Sequence, residues 1–173
     1  MPSPNLTGSS ANYDWGVNNP ISNGGNQSGQ WRTMSENEWV YVFLGRNTTS
    51  GIRFAKAQVN GIVGVILVPD NWNSSIYSLI DANNSASISS SNIISSSTWT
   101  NILEANGCVF LPAAGMRFGN LYTNISNAYA WYWTTTFNSS MYANCFEFYD
   151  GFLGIFNNVA RCSAFSVRLV RDF

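Results

Sequence analysis

The side chains that could carry chemistry in this sequence are few, and they omit the commonest catalytic group. The 173 residues contain no histidine, so imidazole is not available as a general base, a metal ligand or a switch near neutral pH. Catalysis of the Ser-His-Asp and Cys-His types is therefore excluded. Lys56 is the single lysine, and charged residues make up 10% of the chain with a formal net charge of −1. Without a basic cluster we expect no nucleic-acid partner.

Three cysteines, Cys108, Cys145 and Cys162, are the remaining reactive side chains. None of their spacings is typical of a zinc site or a CxxC redox motif. We expect three free thiols in or near packed strands; if one disulfide forms, the expected pair is Cys145 with Cys162. Only nine carboxylates are available, and an oxygen-rich metal site needs several that converge. We predict no catalytic residues, no metal and no cofactor.

The elements that would position any site follow from the hydrophobic pattern. Ser35 and Glu38 form a capping box that begins a helix ending near Gly45, and a second helix spans 97–105 with Gly107 as its carboxyl-terminal cap. The β-branched run 62–68 predicts a buried, central strand. The Ser/Asn-rich segment 71–96 predicts an exposed, mobile loop. Two helices followed by short strands, expected at 131–136, 143–148, 152–156 and 165–170, indicate an α+β fold.

The segment 129–156 is the most unusual part of the chain because it carries eleven aromatic residues. Asn, Ser, Asp and Gly, which favour turns and solvent, are interleaved with them. Such a segment is either the core of a small sheet or a surface built for contact. Its charges are Glu147 and Asp150, the only ones between Arg117 and Arg161.

Several blocks of the sequence resemble known families. The block 31–39, WRTMSENEW, is similar to the RLPTEAEWEYA signature of formylglycine-generating-enzyme-like domains, a branch of the C-type lectin-like fold. The blocks 109–117, 132–136 and 166–173 resemble the FLPAAGxR, YWSST and SVRLVRDF patterns of variable proteins from Bacteroides-type diversity-generating retroelements. The resemblance covers about residues 30–173 and is specific in these blocks.

The resemblance implies a C-type lectin-like fold: two helices packed on short, mostly antiparallel strands with long irregular loops. We accordingly predict an extended, partly ordered lead-in at 1–30 and a single domain at 31–173. Trp131, Trp133, Val167 and Leu169 would anchor the sheet, with Trp133 and Val167 buried. The candidate variable region is 137–165, in which Tyr149, Phe152 and Phe156 should be at least partly exposed.

In such variable proteins, misreading of template adenines scatters asparagine AAY codons over many residue types. Between Phe137 and Phe165 only Met141 and Glu147 lie outside the residue types that AAY codons can reach. Those two residues are therefore fixed or come from other template codons. The ligand-binding positions that we predict are Phe137, Ser139, Ser140, Tyr142, Asn144, Cys145, Tyr149, Asp150, Phe152, Phe156, Asn157, Asn158, Cys162, Ser163 and Phe165.

The function predicted from the sequence is recognition of a protein or glycan on another cell, not catalysis, by a protein on a bacterial surface or a phage tail. An adhesive or pilus module with the same fold and a fixed surface is the alternative. A formylglycine-generating-type oxidoreductase would need Cys145 and Cys162 to form a copper-binding pair. No run approaches the ~20 apolar residues of a membrane helix, so we expect no membrane insertion, and the first ten residues do not resemble a secretory signal.

Overall fold

The structure is a computed structural model that describes residues 30–123 and 128–171. Side chains at 121–123, 137, 156 and 157 lie outside the described part, as do residues 1–29 of the predicted lead-in at 1–30. The fold is mixed α and β, with two short helices and many antiparallel strands in open sheets. Helix α1 is Glu36–Val40, continued by a π-helical turn Tyr41–Gly45; helix α2 is Ser96–Thr98, continued by a π-helical turn Trp99–Leu103 and a 3-10 turn Glu104–Asn106.

The predicted capping box at the start of α1 is confirmed. The Ser35 hydroxyl accepts from the Glu38 backbone N–H at 3.3 Å, and the Glu38 carboxylate accepts from the Ser35 backbone N–H at 2.8 Å. Arg32 donates to the same carboxylate at 2.9 Å, and this bond is the main reason why the pKa of Glu38 falls to about 2. The cap fixes where α1 begins, and this directs Trp39 and Phe43 into the core, where each is 1% exposed.

Within the described residues, twelve strands lie in four sheets, and all their pairings but β2 with β4 are antiparallel. The strands are β1 Arg32–Thr33, β2 Phe54–Val59, β3 Ile62–Leu67, β4 Ile93–Ile94, β5 Val109–Pro112, β6 Met116–Phe118, β7 Leu121–Thr123, β8 Ala130–Phe137, β9 Tyr142–Tyr149, β10 Phe152–Ala160, β11 Ser163–Ala164 and β12 Leu169–Val170. The sheet orders are β1-β12, β4-β2-β3-β5, β11-β6-β7 and β10-β9-β8.

Helix α1 lies between the four-stranded sheet and the sheet β10-β9-β8. One core cluster joins Trp39 and Phe43 to Phe54 of β2 and to Phe146 of β9. The second cluster lies on the other side of the four-stranded sheet, where Trp72 and the α2 segment cover β2, β3 and Ile94 of β4. The prediction that 62–68 forms a buried central strand is confirmed. A Cβ at Gly64 would collide with the Leu111 carbonyl and the Phe110 ring, so glycine alone permits the close β3–β5 approach.

Three sequence predictions about the fold are wrong. The segment 71–96 is not simply an exposed loop, because Trp72 is 1% exposed and Ile94 pairs with β2; scattered apolar residues among the serines tie it to the sheet. The expected strand 165–170 is instead the short β12, and β11 lies just before it. Val167, expected to be buried, is 38% exposed because it falls between these two strands.

Candidate functional site

The sheet β10-β9-β8 has two faces of different character, and strand alternation assigns each residue to one of them. Residues Tyr132, Phe146 and Phe148 point to α1 and are buried. The Phe146 ring stacks on Trp39 at 4.6 Å and on Phe43 at 4.4 Å between ring centroids. We call this the helix face, and it is core.

The opposite, outer face carries a continuous row of stacked rings. Centroid separations along it are 4.4 Å from Trp133 to Phe165, 5.9 Å from Phe165 to Trp131, 5.5 Å from Trp131 to Tyr129, 4.7 Å from Tyr129 to Tyr149 and 5.3 Å from Tyr149 to Phe152. Interplanar angles along the row stay between 11° and 29°. We call these residues the aromatic row.

The aromatic row is only partly withdrawn from water. Trp131 is 9% exposed, while Tyr129, Trp133, Tyr149, Phe152 and Phe165 are half-buried. Stacking holds the rings in fixed positions, so little conformational entropy remains to be lost when a ligand covers them. The outer face is thus a partly exposed apolar surface whose rings are held in place by stacking.

Glu147 lies in the middle of this surface. It pairs across the sheet with Trp131 on one side and with Gly154 on the other. The residue is 8% exposed. Burial raises the pKa of its carboxyl group, and a hydrogen bond with the Trp131 side chain partly opposes this. The Glu147 carboxylate therefore lies among aromatic rings and beside Gly154, which has no side chain.

The turn that joins β9 to β10 is fastened to the four-stranded sheet by a buried lysine. Lys56 is 2% exposed, and its ammonium donates to the carbonyl oxygens of Ser85, Ser87 and Tyr149 at 2.8, 2.9 and 2.7 Å. Burial lowers the pKa of Lys56 to about 8, against the opposing effect of Asp150. The Asp150 carboxylate accepts from the Ser89 backbone N–H at 2.8 Å. These contacts fix the end of the aromatic row that carries Tyr149 and Phe152.

The predicted binding residues differ in burial, and three of them have side chains that are not described. Exposed residues are Ser140, Tyr142, Asp150, Asn158 and Cys162; half-buried ones are Ser139, Tyr149, Phe152, Ser163 and Phe165; Asn144 and Cys145 are buried; the side chains of Phe137, Phe156 and Asn157 lie outside the described part. The expected partial exposure of Tyr149 and Phe152 is confirmed. Asn144 belongs to the helix face, where its amide donates to the Glu36 carboxylate at 2.5 Å.

The structure brings these residues together in two groups, not one. Tyr149, Phe152 and Phe165 belong to the aromatic row. At the far end of the sheet, the side-chain amide of Asn138 donates to the side-chain oxygen of Asn158 at 2.6 Å. The Arg161 guanidinium donates to the backbone carbonyl of Ser140 at 3.3 Å. We call this second group, residues 138–142 and 158–161, the loop end.

Sequence reasoning missed part of the aromatic row. Trp131 and Trp133 were expected to be scaffold and Trp133 to be buried, but Trp133 is half-buried and both contribute rings to the outer face. Tyr129 and Glu147 were not among the predicted binding residues. The signal that could have found them is parity, since Trp131, Trp133, Cys145, Glu147 and Tyr149 share one face once β8 and β9 are paired.

The prediction of three free thiols is confirmed, and the alternative pairing of Cys145 with Cys162 is not present. Cys145 is fully buried under the outer face, whereas Cys162 is exposed in the turn before β11. Burial raises the thiol pKa of both Cys108 and Cys145 to about 12. Neither thiol is therefore activated as a nucleophile at neutral pH.

No family model, curated protein or solved structure matches this chain. Within residues 30–123 and 128–171, no group of three His, Cys, Asp or Glu side chains could hold a metal ion. In the same part of the chain, no helix is long and apolar enough to cross a membrane.

Proposed function

We propose that this protein is a ligand-binding protein that displays a retroelement-diversified surface on a C-type lectin-like scaffold. The observation that carries the proposal is the aromatic row, a fixed line of partly exposed rings on one face of a three-stranded sheet. Aromatic side chains are strong contact residues because they are large and lose little conformational entropy when a ligand covers them. Six stacked rings on one face, five of them half-buried, form the kind of contiguous apolar patch that marks an interaction surface.

The scaffold part of the proposal is supported by where the resembling blocks lie. Arg32 pairs with Val170 and Thr33 with Leu169, so the first and last blocks are adjacent strands. The Tyr132 hydroxyl donates to the Pro112 carbonyl at 2.7 Å, and Tyr132 also bridges to Ser166. All four blocks are thus joined by direct contacts, as expected if they are the shared framework of one fold.

The set of positions that we propose to be diversified is smaller than the segment 137–165. Positions on the helix face, such as Phe146 and Phe148, are 1% exposed and fill the core, so scattering there would unfold the protein. The proposed variable positions are those within 137–165 that lie on the outer face or at the loop end, except Met141 and Glu147. The ligand is a protein or glycan on another cell, and the protein acts outside the cell, on a bacterial surface or a phage tail.

A display library tests the binding surface. Tyr149 and Phe152 are each varied to all residue types, as are the helix-face residues Phe146 and Phe148, and every variant is scored for protease resistance. We expect most variants at Tyr149 and Phe152 to stay folded and most at Phe146 and Phe148 to unfold, because only the latter are core. Equal intolerance at both pairs would refute the display role.

The neighbouring DNA tests diversification separately. A reverse-transcriptase gene with a near-repeat that differs from the 137–165 coding region at adenines is the expected finding. The absence of both would leave a binding or adhesive module whose surface is fixed.

A further inference from the structure

The outer face carries a feature that apolar contact alone does not explain, namely a buried carboxylate. Glu147 is 8% exposed, and within β8, β9 and β10 it is the sole charged residue. Burial of an ionisable group without a cationic partner destabilises a fold, and the raised pKa of this carboxyl reflects that cost.

The surroundings of Glu147 are those of a site for a planar cation. Trp131 and Tyr149 flank the carboxylate, and both belong to a row whose rings lie within 29° of parallel along each step. A guanidinium group stacks flat on such rings and donates two parallel hydrogen bonds to a carboxylate. An ammonium group lacks the planar shape, although it too is attracted to ring faces.

Access to the carboxylate passes over Gly154. This residue lies opposite Glu147 in β10, and the Phe152 ring covers it, so that a Cβ at Gly154 would come within 3.2 Å of the ring. Because glycine has no side chain, rotation of the Phe152 ring away from Gly154 opens space directly beside the carboxylate. Phe152 is half-buried at the end of the row, where it stacks on Tyr149.

We infer that Glu147, Trp131, Tyr149 and Phe152 form a subsite for the guanidinium of an arginine side chain carried by a protein ligand. The charge of Glu147 is not offset within its own sheet, because β8, β9 and β10 contribute no basic residue. The one lysine, Lys56, is engaged by three carbonyl oxygens. This inference rests on the proposed function and names one chemical requirement of its ligand.

Two small probes test the inference. N-acetyl-arginine methylamide carries the guanidinium, and N-acetyl-citrulline methylamide is its neutral isostere. Each is titrated into the whole protein while the indole N–H resonances are followed by NMR. We expect saturable shifts of the Trp131 indole with a Kd on the order of 1–10 mM for the arginine probe, and binding about tenfold weaker for the citrulline probe.

Substitution at the carboxylate supplies the second arm. Glu147→Gln keeps the shape and removes the charge, so it should weaken the arginine probe about tenfold and leave the citrulline probe unchanged. Glu104→Gln, at an exposed glutamate of the α2 segment, is the matched control and should change neither. Thermal melting shows whether each variant is folded.

Equal binding of the two probes, or an arginine affinity that Glu147→Gln leaves unchanged, would overturn the guanidinium subsite. So would an unmoved Trp131 resonance at saturating probe. Each of these results leaves the proposed function standing on the tolerance of Tyr149 and Phe152 to substitution. Intolerance at those two positions would instead remove the display role, whatever the probes do.

Discussion

The two faces of the sheet β10-β9-β8 are built from the same residue types and do different work. On the helix face the rings of Phe146 and Phe148 are buried against α1. On the outer face, rings of the aromatic row stack on one another and remain partly exposed. Aromatic content alone therefore does not distinguish core from contact surface in this chain. What separates the two is the parity of a residue within its strand.

Truncation of rings on the two faces should give the largest contrast. Phe146→Ala removes a ring that stacks on both Trp39 and Phe43, so we expect a loss of ~3–5 kcal/mol in the free energy of unfolding. Phe152→Ala removes a half-buried ring with one stacking partner, and ~1 kcal/mol or less is expected. Urea denaturation of both variants measures the difference, and similar losses would contradict the assignment of the faces.

Substitution of Lys56 should weaken the outer face selectively. Lys56→Met leaves the carbonyls of Ser85, Ser87 and Tyr149 without their donor, and we expect a loss of ~1–3 kcal/mol. Because the Gly151 N–H bonds to the Ser87 carbonyl, its hydrogen exchange should accelerate more than that of amides in β3. Met replacing the half-buried neighbour Gln58 is the control, and uniform acceleration throughout the protein would show that Lys56 serves the whole core.

Neutralisation of Glu147 should stabilise the protein. A raised carboxyl pKa means that the folded state holds its proton more tightly than the unfolded chain, so stability falls as pH rises above the unfolded value of 4.5. Glu147→Gln removes that fall, and we expect a gain of ~0.5–1 kcal/mol at pH 7. Thermal melting of both proteins from pH 4 to 8 measures it. A variant less stable than the parent at pH 7 would indicate that the carboxylate has a compensating partner.

The smallest effect is expected on the helix-face side, at the cap of α1. Glu38→Gln weakens the capping box and its bond with Arg32. Because the Glu38 side chain is 38% exposed, we expect a loss of only ~0.5 kcal/mol. A lowered carboxyl pKa contributes stability above the unfolded value of 4.5 that disappears as pH falls towards about 2. The variant and its parent should therefore converge in acid, and a constant difference down to pH 2 would contradict this.

Local sequence signals predicted the local structure well. The Ser35–Glu38 cap, the Gly107 cap, whose φ is 86°, and the central strand β3 all follow from short patterns, because each depends on neighbours in sequence. The packing of the segment 71–96 was not predicted, because a few buried apolar side chains attach it to the sheet although most of its residues are polar. The outer face could not be assembled from sequence, because it depends on pairing between β8 and β9 and on the return of Phe165 across them.

Lys56, which holds the turn between β9 and β10, donates hydrogen bonds to main-chain carbonyl oxygens. Every amino acid presents the same carbonyl, so the bond from Lys56 to position 149 is indifferent to which residue occupies it. The Gly151 N–H bond to the Ser87 carbonyl is equally blind to sequence. At position 149 the support therefore depends on the backbone, whereas the contact of Asp150 with the Ser89 N–H depends on a side chain of the turn. Under the proposed diversification, Lys56, a single buried residue in another sheet, would hold the turn in one geometry whichever residue occupies position 149.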